Sequence, residues 1–220
     1  HPAGILRAWS TRAHVVHDLT TRVVRRLSAP AKMPIWDFNV KPTFAQVLYF
    51  LGEVEKAGIA AVDVETSRGQ IVCVGIAVST TRALFIPFVS EGYGAFWPGE
   101  TYGNVLMALE KTLAKICIVG QNFNYDRDKI KRLGFIIRQL VSDTMLKAFA
   151  INPELPKGLA FNTSLYTEEP FYKDEGMYEG KIEDLFIGCA RDACVTFEID
   201  ENMEKDLVEL GMVDYYNNFI

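Results

Sequence analysis

Val62-Asp63-Val64-Glu65-Thr66 ends an apolar run that begins Ile59-Ala60-Ala61, and it carries two carboxylates two residues apart. On a β-strand, residues i and i+2 point to the same face. Asp63 and Glu65 are therefore expected side by side at the end of a buried strand. Two like charges there are costly unless something positive neutralises them. A divalent metal or a shared proton would do so, and the rest of the chain favours metal.

Working outward, turn signals at Arg68-Gly69 and Thr80-Thr81 separate three strands, about 59–65, 70–78 and 83–88, so the carboxylate strand opens a meander. Upstream, Thr43 and Gln46 have the spacing of a capping box. Phe44, Val47, Leu48, Leu51 and Val54 give the helix that follows one apolar face, and Gly58 ends it. Downstream, residues 90–100 form a loop rich in Gly and aromatics, and Leu106, Leu109 and Leu113 mark a helix over about 101–115. Ile116 to Val119 reads as a short buried strand, and a helix runs from near Asn124 to Gly134. Asp143 caps another that reaches about Ala150. Residues 151–182 are less regular, and a long helix spans about Glu183 to Leu210 with Gly211 as its stop. Strands followed by helix–strand alternation predict a mixed α/β sheet with helices on both faces.

At 220 residues and 49% hydrophobic, the chain is expected to be a soluble globular protein. No apolar run reaches the ~18–20 residues of a membrane helix, and no signal-peptide pattern is present. Cys73, Cys117, Cys189 and Cys194 lack the close spacing of a zinc site and are read as buried thiols. That usage suggests a reducing, cytoplasmic compartment. In residues 1–34, Arg7, Arg12, Arg22, Arg25, Arg26 and Lys32 stand against Asp18 alone, so the rest of a chain of net charge −5 is strongly acidic. An acidic domain is a poor non-specific DNA binder. It suits a carboxylate site that metal must charge before phosphate approaches.

Two further acids extend the pattern: Asp126, in Gly120-Gln121-Asn122-Phe123-Asn124-Tyr125-Asp126, and Asp192, in Cys189-Ala190-Arg191-Asp192-Ala193-Cys194. In order, the chain gives Asp-x-Glu, Asn-x-x-x-Asp, then an Asp on a late helix. This resembles the DEDD superfamily of 3′–5′ exonucleases. It is most similar to the proofreading domain of family A DNA polymerases, particularly phage ones. The resemblance covers about residues 35–205, and Phe171-Tyr172-Lys173-Asp174-Glu175-Gly176 is also similar to phage polymerases.

The resemblance implies a ribonuclease-H-like fold, two divalent ions (Mg²⁺ or Mn²⁺) and the 3′ end of DNA as substrate. Asp63 matches the ligand that bridges both metals, Glu65 and Asp192 match ligands of the nucleophile-side metal, and Asp126 matches the residue serving the second. Asn122 belongs to the second motif, near substrate or a ligand, and its other reading is a cap or turn. Thr66 offers a hydroxyl or backbone N–H to the terminal nucleotide, or simply ends the strand. Phe123 and Tyr125 are core residues first, or stacking partners for a frayed base. Tyr172 and Lys173 are DNA contacts or a solvated loop, Arg191 is a phosphate contact or a surface charge, and Asp143 is structural.

One position departs from the pattern. The family carries a water-positioning Tyr four residues before the last Asp, and its sister subclass a His five residues before. Here those positions are Gly188 and Ile187, and all three histidines lie in the first 17 residues. The gap leaves room for another side chain, such as Tyr178, or for an ordered water, and natural or designed attenuation is the other reading. The expectation is a working but slowed exonuclease. The competing readings are a silent scaffold between neighbouring domains and an RNA-trimming exonuclease.

The opening His1-Pro2-Ala3-Gly4-Ile5-Leu6-Arg7 is similar to the late His-Pro motif of family 4 uracil-DNA glycosylases, where His1 would match the residue that holds uracil. The family's water-activating motif and cluster cysteines have no counterpart. A helix from His14 to Leu27 would follow, with Val15, Leu19, Val23 and Leu27 on one face. The domain expectation is a glycosylase-like tail over 1–28, a linker over 29–34 and an exonuclease domain over 35–210. The start of a polymerase region follows over 211–220, all cut from a longer fusion. An ordinary basic amphipathic helix is the alternative for the tail. No polymerase motif is present, so DNA synthesis is not expected.

Overall fold

The computed structural model describes residues 3–29, 34–36, 38–39, 41–169 and 181–219. The first stretch is helical in pieces: α1 (Ala3–Arg7), α2 (Arg12–His17) and α3 (Val24–Ser28), with a wider π-type turn over Asp18–Val23. The single helix expected from His14 to Leu27 is thus interrupted. Leu19, Val23 and Leu27 of its apolar stripe are exposed, because the wide turn shifts the 3.6-residue register on which the stripe depends. The tail meets the rest of the chain through an Arg12–Glu154 ion pair at 3.1 Å and an edge-on His14–Phe161 contact at 4.9 Å.

The remaining elements, in chain order, are α4 (Phe44–Ala57), β1 (Ile59–Ser67), β2 (Gln70–Ala77), β3 (Ala83–Pro87), α5 (Glu100–Leu113), β4 (Cys117–Gly120), α6 (Phe123–Arg132), β5 (Leu140–Asp143), α7 (Thr144–Ile151), α8 (Leu159–Tyr166), α9 (Ile182–Glu209) and α10 (Val213–Phe219). The capping box forms: Thr43 Oγ1 accepts from the Gln46 amide, and the Gln46 side chain accepts from the Thr43 amide at 2.8 Å. Gly58 ends α4 in the left-handed region at φ 71°. Arg68 and Gly69 both have positive φ, 51° and 79°, which suits the tight turn between β1 and β2.

The sheet has the order β3-β2-β1-β4-β5. β1 pairs antiparallel with β2 and β2 with β3, while β1–β4 and β4–β5 are parallel. Alternation along β1 sends its two faces into different cores. Ala60, Val62 and Val64 join residues of α4, α5 and α6 in one core. Ala61 faces the other side with Ala193 and Cys194 of α9. The result is a mixed α/β sheet with helices on both faces, as the sequence pattern predicts. Cys73, Cys189 and Cys194 are buried free thiols, and Cys117 is half-buried.

Helix α9 lies very close to the sheet, and Gly75 of β2 permits this. A Cβ there would meet the Cys189 carbonyl oxygen at 2.5 Å. Gly75 is also the register partner of Asp63 on β1. The closest approach of helix to sheet therefore falls beside the first carboxylate of the opening motif.

Candidate active site

Strand alternation places Asp63 and Glu65 on the α9 face of β1. Helix periodicity places Asp192 three residues after Cys189, one turn along the side of α9 that touches the sheet. The Cys189 thiol donates to the Asp63 carbonyl at 3.6 Å. Carboxylate oxygens of Asp63, Glu65 and Asp192 consequently lie within 4.8 Å of one another. Asp192 is 2% exposed. Asp63 and Glu65 are half-buried, and gathering three carboxylates this closely is unfavourable without a cation. The donors are all hard carboxylate oxygens, the set preferred by Mg²⁺ or Mn²⁺, with none of the sulfur or imidazole ligands that favour zinc. The residues present therefore fit a divalent ion.

Asp126 stands outside that trio but lines the same cleft of about 390 Å³, as do Asn122, Tyr125 and Lys157. It occupies the first turn of α6 and is 6% exposed. Burial lifts its carboxyl from the ordinary 3.8 to about 7, and the charges of Glu65 and Asp143 push the same way. Backbone hydrogen bonds at Asp126 and Val64 oppose the shift.

The start of α6 is held by Asp143 rather than by Asn122. Asn122 sits in the left-handed region at φ 53° and its side chain makes no capping bond. Its amide donates to Asp143 Oδ1 at 2.9 Å and the Phe123 amide donates to Asp143 Oδ2 at 2.8 Å. The same carboxylate accepts from the Met145 amide at 2.9 Å and so caps α7. One side chain thus sets the beginnings of two helices, the structural part expected of it. Asn122 lines the cleft as part of a junction that another residue secures.

The two aromatics of this motif divide differently from the expectation. Phe123 is fully buried in the core, against Gly120, where a Cβ would meet the Phe123 ring at 2.5 Å. It has no face to offer a base, so the substrate role considered for it is corrected to packing. Tyr125, read first as core, is instead 51% exposed at the cleft. Its hydroxyl lies 3.3 Å from that of Thr66. Thr66 follows a register shift in the β1–β2 pairing and, with Glu65, borders a second cavity of about 550 Å³ that also includes Tyr93 and Lys181.

The Arg191 guanidinium lies 3.8 Å from the Glu169 carboxylate and 5.0 Å from the Trp36 ring. Lys157 escaped the sequence reading. Although it lines the cleft, its ammonium donates to the carbonyls of Pro153 and Leu155, and no local pattern announces such a loop lysine. Gly188 lies buried on α9, one turn before Asp192. Tyr172, Lys173 and Tyr178, and the opening His1-Pro2, fall outside the described residues.

No protein-family model matches the sequence, and no curated protein is significantly similar to it. Solved structures share its fold. The Pol1 polymerase domain from M. smegmatis, solved with DNA primer-template and dNTP, superposes with a TM-score of 0.58 at 14% identity, over 83% of this chain and 29% of that one. Escherichia coli RNase D, an exoribonuclease involved in structured RNA processing, gives 0.60 at 12% identity, over 83% of this chain and 48% of its own. The EXO domain of Aedes aegypti Nibbler gives 0.52 at 12% identity, over 86% of this chain and 97% of its own. The chain spans less than half the length of the first two. The mixed sheet with its flanking helices is thus the ribonuclease-H-like fold that these structures share.

Proposed function

We propose that this chain is a metal-dependent 3′–5′ exonuclease domain acting on DNA, the proofreading unit of a phage-like family A polymerase. The observation that carries the reading is the meeting of Asp63 and Glu65 from β1 with Asp192 from α9 inside 4.8 Å, with Asp126 in the same cleft. Asp63, Glu65 and Asp192 would hold one divalent ion, and Asp63 and Asp126 would serve a second. Metal bound there supplies an activated water and neutralises charge on the leaving oxygen. The chain itself orients these carboxylates through the α9 contact at Gly75 and the Asp143 clamp on α6. Thr66 and Tyr125 stand at the edge where a 3′-terminal nucleotide enters. DNA is preferred as substrate on the sequence resemblance to polymerase proofreading domains. The fold shared with RNase D makes RNA the natural competitor. In this reading a polymerase region is covalently linked, and a glycosylase-like unit precedes.

A 5′-labelled single-stranded DNA oligonucleotide, followed in Mn²⁺, Mg²⁺ and chelator, tests the proposal. The expected result is a ladder shortening from the 3′ end that needs metal and disappears in Asp63→Ala. Loss of the DNA ladder under excess unlabelled RNA of equal length would shift the substrate to RNA. Absence of any ladder from folded protein would leave a silent scaffold. Gly188→Tyr restores a hydroxyl one turn before Asp192. General acid–base assistance is worth about 10²–10⁴-fold, so at least a tenfold gain in rate is expected. No gain would mean that another group already orients the water.

A further inference from the structure

Asn122, Tyr125, Asp126, Lys129 and Arg132 fall at i, i+3, i+4, i+7 and i+10, and so share one side of α6. That side serves two cavities in succession. Asn122, Tyr125 and Asp126 line the carboxylate cleft. Lys129 and Arg132 line a separate cavity of about 360 Å³ beside the Gly69 turn, whose apolar surface comes from Ile71, Phe88, Tyr102 and Leu133. Tyr125 links the two: its hydroxyl lies 3.3 Å from that of Thr66, and the Lys129 ammonium sits 4.5 Å from its ring centroid.

The charge of the second cavity sets it apart. The chain carries 28 acidic residues against 23 basic ones, yet none of the described residues lining this cavity is acidic. Two cations over an apolar surface suit a nucleotide, with phosphate on the cations and base on the apolar residues. The volume is at the small end of the range for ligand sites, as one nucleotide needs. With a rise of 1.5 Å per residue, Arg132 lies about 9 Å along the helix from Asp126. This is within reach of the next nucleotides of a strand seated at the cleft.

We infer that the Lys129–Arg132 cavity is a subsite for a nucleotide upstream of the scissile bond, holding the strand that remains after each cut. The direction rests on the nuclease reading, in which Asp126 serves the side of the retained strand's 3′ oxygen. That strand then leaves the cleft along α6, over Tyr125 and onto Lys129 and Arg132.

The test pairs two substrates and one binding measurement. The p-nitrophenyl ester of thymidine 5′-monophosphate has no upstream nucleotide, whereas a single-stranded octanucleotide does. In Lys129→Ala/Arg132→Ala, the ratio of octanucleotide to ester kcat/KM is expected to fall at least tenfold, chiefly through KM. Octanucleotide binding in Ca²⁺, read by fluorescence anisotropy, is expected to weaken to match. Its slope of log Kd against log salt should flatten by about 0.7, the value for one phosphate on a single strand. Lys56→Ala/Lys111→Ala removes equal charge from helices α4 and α5 and should change neither measurement. An unchanged ratio together with unchanged binding overturns the subsite, as does an equal loss in the control pair. If wild type cleaves neither substrate but the double variant still loses binding and slope, the subsite stands and the nuclease reading falls. If wild type binds no octanucleotide, both fall.

Discussion

Burial lifts the Asp126 carboxyl to about 7, and in the proposed metal site this would tie ion binding to pH through one residue. Its folded pKa lies above the ordinary 3.8, so between those values the native state holds a proton that the unfolded chain does not. The metal-free protein therefore loses stability as pH rises through that window, by the linkage between proton binding and folding. A cation that requires the carboxylate acts in the opposite sense. The rise in Tm on adding Mn²⁺ is expected to be larger at pH 8 than at pH 6. Asp126→Asn should remove most of that difference while leaving the Asp63, Glu65 and Asp192 trio in place. An equal metal-induced rise at both pH values in wild type would show that Asp126 takes no part.

At the scale of elements, the site depends on how closely α9 approaches the sheet. Gly75→Ala places a methyl group 2.5 Å from the backbone oxygen of Cys189, an atom that moves only if the helix moves. Overpacking of this kind typically costs about 1–3 kcal/mol. The displacement also carries Asp192 away from Asp63. Thermal melts and Mn²⁺ titration should therefore show Tm and metal affinity falling together. Gly103→Ala, where nothing lies within 4 Å, should weaken neither. Loss of Tm with unchanged Mn²⁺ affinity would separate the helix contact from the site.

What the sequence disclosed follows from the range of each signal. The β1–β3 meander, the Thr43–Gln46 cap and the α9 span rest on periodicities and spacings of a few residues, and they were legible. So was the pairing of Asp63 with Glu65, a consequence of the two-residue repeat. Strand β5 (Leu140–Asp143) was missed because it ends in the polar pair Ser142-Asp143 and so lacks the unbroken apolar run that marks the equally short β4. Helix α8 (Leu159–Tyr166) was missed because its buried positions include Asn162 and Thr163, which blur the apolar stripe. The Asp143 clamp joins residues 20 and 21 positions apart, and nothing local encodes it. That Phe123 packs in the core while Tyr125 is exposed was equally hidden. Both are aromatics in one helical turn, and only the packing against Gly120 decides which of them is buried.

Taken whole, the molecule has a polar joint where α7, α9 and α10 meet. Lys147, 3% exposed, bridges Asp200 and Glu204 at 2.8 Å each. Nearby, the Asp143 amide donates to the Tyr216 hydroxyl at 3.0 Å. A chain ending at residue 210 lacks that hydroxyl. It should stay folded, since the cores on both faces are complete without α10, but its hydrogen-exchange protection at Asn122 and Phe123 is expected to fall. Unaltered protection there would show α10 to be a passenger. The feature has a mechanical consequence. Asp143 grips the start of α6 with its side chain and the C-terminal helix with its backbone. A displacement of α10, which also packs on α7 and α9, is therefore passed in part through Asp143 to the start of α6 that carries Asp126. In mechanical terms α10 acts as a tensioner, and a shift there would loosen or tighten the seat of Asp126 in the cleft.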